Sequence, residues 1–214
     1  MNKSLRYQAY DALKAMIIDL ELKPGERLIE SDLAMKLAIG RTPIREALLK
    51  LEQDKLVHCI GKSGYYIRKL NKKEVDEYYA LRAALEDFAA PLVIERITPS
   101  AIEALHENIR HCEELGEKGE IRTVAHFHSQ FDRILYQATD SEAFMDIIFL
   151  LLDRLHWLRA VALSVYGGRQ QSLDDHKRIV KAIEEKDLDG LRDAIRVHLK
   201  NSRENFGKME ALLF

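Results

Sequence analysis

From Glu30 to Ala38 the apolar residues Leu33, Ala34 and Leu37 recur at the spacing of one helix face, and Ile39-Gly40 ends the run as a turn. A second stripe, Ile44, Ala47, Leu48 and Leu51, starts almost at once. It predicts a second helix, with Thr42 as N-cap and Pro43 at the first helical position, where its missing N–H loses nothing. Two helices joined by so short a turn form a helix-turn-helix. Upstream, Ala9, Leu13, Ile17 and Leu20 predict an amphipathic helix over Tyr7 to Leu20, broken by Pro24-Gly25. Beyond Leu56 the pattern changes to strand-like runs, Val57-His58-Cys59-Ile60 and Tyr65-Tyr66-Ile67, around a turn at Gly61-Lys62-Ser63-Gly64. That is a small β-hairpin, placed as the wing of a winged helix-turn-helix.

After the polar joint Asn71-Lys72-Lys73 everything reads helical. The periodicity predicts helices near Glu74 to Ile97, Pro99 to Leu115, Ile121 to Thr139, Glu142 to Tyr166, Gln170 to Lys186 and Leu188 to Lys208. Six helices with short connections and no strand signal make an antiparallel bundle with an interior able to hold a ligand. The expected fold is therefore mostly α, an N-terminal winged helix-turn-helix over residues 1–70 and an all-α antiparallel six-helix bundle over residues 71–214. In the helix from Glu142, the residues Ile147, Ile148, Leu151, Leu152, Leu155, Leu158, Val161 and Val165 form a broad apolar face, either core or dimer surface.

Charge separates the two parts. The 214-residue chain has a formal net charge of -2, but residues 1–70 carry 13 Lys and Arg against 9 Asp and Glu, and the remainder 20 against 26. A basic first part and an acidic second part imply different partners. The cysteines Cys59 and Cys112 show no metal-like spacing, which suggests thiols in a reducing compartment. The N-terminus has Asp11 within it and no small-residue cleavage site, and the longest apolar run, Ile147 to Leu152, is too short to span a bilayer. A cytoplasmic protein with no membrane partner is expected.

The helix pair gives the basic part its chemistry. The N-terminus of the second helix of such a unit enters the major groove, and Arg41, Thr42 and Arg45 are left exposed there. An arginine fork donates to guanine O6 and N7 or to phosphates, and the helix dipole adds positive potential. Gly64 makes a tight wing tip, with Lys62 beside it as a phosphate or minor-groove contact. Double-stranded DNA is the expected partner.

The bundle carries a second constellation. His128 and Asp132 lie four apart on one predicted helix and so share a face, His176 opens the fifth bundle helix, and His198 lies on the sixth. Three imidazoles and a carboxylate match the ligand set of a divalent transition metal such as Zn, Ni or Mn. A His/Asp pair at this spacing is also a plain helical hydrogen bond or ion pair. His58, His106, His111, His126 and His156 are assigned no ligand role.

These motifs resemble those of the GntR family of bacterial transcription regulators. PGERL, the Leu33-Ala34 pair, RTPIREAL, the LE after it and the GYYI strand fall in that family's order. LRAALEDFA at 81–89, FDRILYQATDS at 131–141, DHKRIVKAI at 175–183 and RVHL at 196–199 resemble FCD, the helical effector domain of the family's fatty-acid-regulator branch, in its six-helix, vanillate-regulator-like version. The resemblance implies that Arg41, Thr42 and Arg45 contact DNA, that Ser31 sits where the preceding helix meets the backbone, and that Gly64 belongs to the wing. The family commonly has Ser or Thr where this chain has Gly40, so one hydroxyl contact to phosphate is absent. It also implies a metal on an aspartate, a histidine four residues later and two further histidines. Here that helical pair is inverted, His128 before Asp132, while His176 and His198 match in place.

The expected function is that of a homodimeric regulator, not an enzyme, which binds a roughly palindromic operator and holds a small organic acid at the metal. Arg82 is the candidate to pair the acid's second anionic group, or else forms a surface salt bridge to Glu86. The alternatives are a metal-dependent hydrolase with an accessory nucleic-acid domain, and a purely structural, metal-free bundle. No His-Glu-x-x-His pattern or nucleophile elbow supplies the hydrolase.

Overall fold

A computed structural model of the chain describes residues 4–18, 21–117, 121–164 and 167–208. The chain divides into two compact units, Met1–Leu70 and Asn71–Phe214.

In the first unit α1 (Leu5–Ile18) packs on α3 (Arg41–Gln53), and α2 (Glu30–Leu37) lies across it. Their apolar stripes meet: Ala9 and Leu13 of α1, Leu33 of α2 and Ile44, Ala47, Leu48 and Leu51 of α3 form one core with Val57 and Ile67 of the sheet. Each large aliphatic side chain buried there contributes about 1.5–3 kcal/mol. Leu20, expected in α1, lies outside the described residues.

Two local expectations need correction. The helix α3 starts at Arg41, with extended Gly40 as N-cap and no side-chain cap, so Thr42 is inside the first turn and is not the cap. Pro43 is still tolerated, because the first four N–H groups of a helix have no intrahelical acceptor anyway. The wing is also larger than a hairpin: β2 (Val57–Cys59) and β3 (Tyr65–Ile67) are joined by β1 (Arg27–Leu28), in the order β1-β3-β2, all antiparallel. Arg27 and Leu28 were too short a pair to show alternation. Between β2 and β3 runs a single 3-10 turn, Gly61–Ser63, closed by Gly64 at φ 90°, ψ -160°, a conformation open to glycine alone.

The second unit is the six-helix bundle: α4 (Lys72–Arg96), α5 (Pro99–Glu117), α6 (Ile121–Gln137), α7 (Glu142–Ser164), α8 (Gly168–Glu184) and α9 (Leu188–Gly207). A capping box starts α4, the Asn71 side chain accepting from the Glu74 N–H and the Glu74 carboxylate accepting from the Asn71 N–H, both at 3.0 Å. Val165 and Tyr166, expected to end α7, lie outside the described residues. The face of α7 divides: Ile148, Leu151, Leu152, Leu155 and Leu158 are buried, while Ile147 and Leu150 are exposed. No helix among the described residues is long and apolar enough to cross a membrane.

Candidate functional site

The first unit offers a basic helix end. Arg41, Thr42 and Arg45 are all exposed on the first turns of α3, and no acidic residue or side-chain cap occupies the first turn. Its N–H groups are thus left to an outside acceptor, and Arg41 and Arg45, four apart, share a face. Arg45 is clasped from α2. Its Nε donates to both carboxylate oxygens of Glu30, at 3.1 and 3.2 Å, and its Nη2 to Oε2 at 2.9 Å. Ser31 is half-buried at the start of α2, where its hydroxyl donates to Asp32 at 3.1 Å. The Lys62 backbone is in the wing turn, but its side chain lies outside the described residues.

In the bundle, the helices that the sequence assigns to the constellation do bring its residues to one place. The His128 and His176 rings stand with centroids 4.5 Å apart, and His176 and His198 with centroids 5.0 Å apart. Phe131 stacks on His176 at 3.8 Å and 9°. His128 Nδ1 meets the Ser172 hydroxyl at 3.2 Å, and His198 Nδ1 lies 3.7 Å from Asp175, too far for a hydrogen bond. The Nδ1 atoms of His176 and His198 are buried without a hydrogen-bond partner. Burial, with Arg159 and His198 nearby, lowers the His128 pKa to about 3. Burial and the two flanking imidazoles hold His176 well below its ordinary value.

Asp132 turns to different partners. It accepts from Arg159 of α7 and, at 3.4 Å, from Arg82 of α4. Burial raises its pKa, but the two guanidinium groups outweigh that and hold it below the ordinary carboxylate range. Arg82 also donates to Glu86, so that ion pair exists, yet it is buried and not on the surface as one reading of the sequence had it. Arg159 donates further to the Ser129 hydroxyl at 2.7 Å, and Ser129 meets His156 Nδ1 at 2.9 Å. Burial and Arg159 lower His156 to about 3.

Imidazoles are the right donors for a divalent transition metal, burial keeps those of His128 and His176 neutral, and the Nδ1 atoms of His176 and His198 lack a partner. The arrangement does not complete a site. Among the described residues no group of three or more His, Cys, Asp and Glu is placed to hold a metal ion, and Asp132 is committed to two cations that would repel a third.

Beside the histidines is a cavity of about 450 Å³ between α5, α6 and α8, with His128, Cys112, Glu113, Arg169, Gln170 and Leu173 on its wall. Its volume suits a small organic molecule. On the other side Arg159, Ser172, Asp175 and His198 enclose only about 20 Å³, room for a water. Arg82 lines neither space: it is 3% exposed and paired with Glu86 and Asp132.

Arg159, Ser129 and Glu30 were missed by sequence reasoning. Arg159 left a trace, a single cation in the apolar run Leu158 to Leu163. The Glu30 partnership left none, because it joins two helices across 15 residues.

Comparison with known proteins places these features. The FCD domain family matches residues 77–201, and the family described as bacterial regulatory proteins, gntR family, matches residues 5–67. The HTH-type transcriptional regulator YdhC of Bacillus subtilis is 28% identical over 92% of this chain and 89% of its own length. McbR of Escherichia coli is 28% identical over 90% of this chain and 88% of its own. The solved E. coli McbR/YncC structure superposes with a TM-score of 0.80, at 25% identity, covering 99% of this chain and 98% of that one. The gluconate operon transcriptional repressor of Bacillus licheniformis is 27% identical over 94% of this chain and 83% of its own length.

Proposed function

The chain belongs to the gntR family of bacterial regulatory proteins and carries an FCD domain, and from that premise we propose that it binds an operator as a homodimer and answers to a small carboxylic acid held in its helical bundle. Its families and relatives are transcription regulators and not enzymes, so the hydrolase alternative falls. A regulator of this kind works in the cytoplasm, where the operator is.

The observation that carries the reading is the exposed set Arg41, Thr42 and Arg45 on an uncapped helix end, in a unit of the gntR family. Arginine forks at that end read base edges while the N–H groups take phosphate, and the Gly64 turn with Lys62 lets the wing approach the backbone. Ser31 stands by for a phosphate at the start of α2.

Dimerisation is supported by an exposed apolar patch. Leu81 and Phe88 of α4 are 48% and 56% exposed, Ile147 of α7 is 53% exposed, and the two helices meet where Phe88 touches Phe144. A second copy covering this patch would fix the spacing of two half-sites.

The effector reading is supported by the cavity beside His128, by the cation Arg169 on its wall, and by the relative named for a gluconate operon, gluconate being a small carboxylic acid. Arg82 enters as the buried partner of Asp132, which ties α4, the helix continuing from the winged unit, to the histidine cluster. A Zn, Ni or Mn ion on His128, His176 and His198 would supply a Lewis acid for the carboxylate; the unpartnered Nδ1 atoms of His176 and His198 support it, and the commitment of Asp132 to two arginines opposes it. The closed network of Asp132, Arg82, Arg159 and Glu86 favours one further reading, a bundle that only joins two copies.

Mobility shifts on a duplex selected from a random pool, titrated with a panel of small carboxylic acids in chelated and metal-loaded protein, test both. A shift in operator affinity with one acid is expected. No effect of any acid in either form would leave the joining bundle, and failure to select any sequence would overturn the regulator mechanism itself.

A further inference from the structure

Arg45 has one end of its fork occupied and the other open. Glu30 takes the Nε–H and one Nη2–H, with distances of 2.9–3.2 Å. No described residue bonds Nη1, and the Arg45 side chain is 67% exposed while Glu30 is 26% exposed. Glu30 is the first residue of α2, where a carboxylate is favoured by the helix dipole, and α2 is fixed to the core through buried Leu33. The clamp is therefore anchored on a rigid element and the arginine is its guest.

We propose that Glu30 is a positioning residue for sequence reading: it fixes the Nε–Nη2 edge of Arg45 and leaves the Nη1–Nη2 edge as a preset donor pair for one guanine. This rests on the reading of α3 as the helix that enters the groove. Two bonds to O6 and N7 need both donors in one plane at one angle, and a fork already held by a carboxylate presents them without searching rotamers. The carboxylate also cancels the arginine's net charge. Arg45 is then a poor general phosphate binder, and its contribution is confined to the base it is aimed at.

The test measures affinity for a duplex selected in vitro by the full chain and for a scrambled duplex, over a series of salt concentrations, with urea unfolding as a check on the fold. Arg45→Ala is expected to lower the preference for the selected duplex about tenfold. Glu30→Ala is expected to lower it by a similar factor, chiefly by tightening the scrambled complex, and to steepen its salt dependence by about one counterion. Glu30→Gln, which keeps an acceptor but not the charge, falls between. In an Arg45→Ala background Glu30→Ala is expected to leave the preference unchanged, since loss of the lone anion tightens the selected and scrambled complexes alike. If Glu30→Ala and Glu30→Gln leave the preference intact while Arg45→Ala lowers it, or if Glu30→Ala acts equally without Arg45, the clamp is refuted. If Arg45→Ala itself leaves the preference intact, the groove-reading role of Arg45 is what fails.

Discussion

Arg159 of α7 donates to the carboxylate of Asp132 on α6, the residue that the sequence pattern offers to a metal. Arg82 reaches the same carboxylate from α4 at 3.4 Å, so one buried anion joins three helices. The ion pairs are closed by Glu86 on Arg82 and by Ser129 on Arg159. Two cations and two anions balance, which lets the network stay in a buried setting where a lone charge could not.

Removing the central charge should be costly. In Asp132→Asn the two guanidinium groups keep their positive charge but lose the carboxylate between them. A loss of about 3–5 kcal/mol in urea unfolding is expected, as for other buried pairs broken at one partner. Arg133→Ala, whose exposed side chain meets Asp153 at 3.6 Å and lies over the Phe149 ring at 4.7 Å, should cost only about 1 kcal/mol. Equal effects for the two variants would mean that the network does not hold the bundle.

The buried histidines give stability a pH dependence of definite sign. His128 and His156 titrate at about 3 in the folded chain, and His176 is also held well below its ordinary value. In the unfolded chain each takes a proton near pH 6.5. Between those limits the unfolded state binds more protons, so this contribution is complete above about pH 6.5 and is lost as pH falls towards 3. Urea unfolding of chelated protein at pH 7 and pH 5 should differ by about 2 kcal/mol for each such histidine. His156→Gln should remove one share of that difference, and a flat profile from pH 7 to 5 would contradict the burial of all three rings.

Much of this was legible in the chain because it repeats. The stripes Leu33-Leu37 and Ile44-Leu51 gave the helix pair, and the six apolar periodicities after Asn71 gave the bundle, since burial must follow helical spacing wherever one face is core. Elements that depend on a partner far along the chain did not show. The two residues of β1 are a strand only because Tyr65 and Tyr66 pair with them. Thr42 looked like a cap by residue type, but Gly40 with an extended backbone starts α3 one residue before it. In the site, the predicted helices carry the rings of His128, His176 and His198 to one place, whereas the direction of Asp132 is set by Arg159, which lies 27 residues away on another helix.

Two neighbouring glycines at the α7–α8 junction should respond to alanine for different reasons. At Gly168 an added methyl would sit 2.3 Å from the Ala162 carbonyl oxygen, so backbone must move, at about 1–3 kcal/mol. At Gly167 nothing lies within 4 Å, but φ is +77°, and the left-handed backbone alone costs about 1 kcal/mol. Urea unfolding of each variant separates the two. Because Gly167 also lines the 450 Å³ cavity, its variant should narrow that cavity with little loss of stability, and a larger penalty at Gly167 than at Gly168 would show the junction to be arranged otherwise.

The apolar patch on α4 and α7 can be tested apart from DNA. Phe88 and Ile147 are more than half exposed in the single chain, so aspartate at both positions removes one ring contact, that of Phe88 with buried Phe144, and no fully buried side chain such as Leu105 or Ile148. Helix content and urea midpoint should stay close to the parent values. If a second copy covers the patch, burying two carboxylates there without partners is prohibitive, and light scattering should give the mass of one chain where the parent gives two. Binding to a duplex with two half-sites should then weaken by a hundredfold or more, roughly the avidity supplied by linking two readers, while binding to a single half-site stays unchanged. A double variant that keeps the parent's mass would place the contact between copies on some other face.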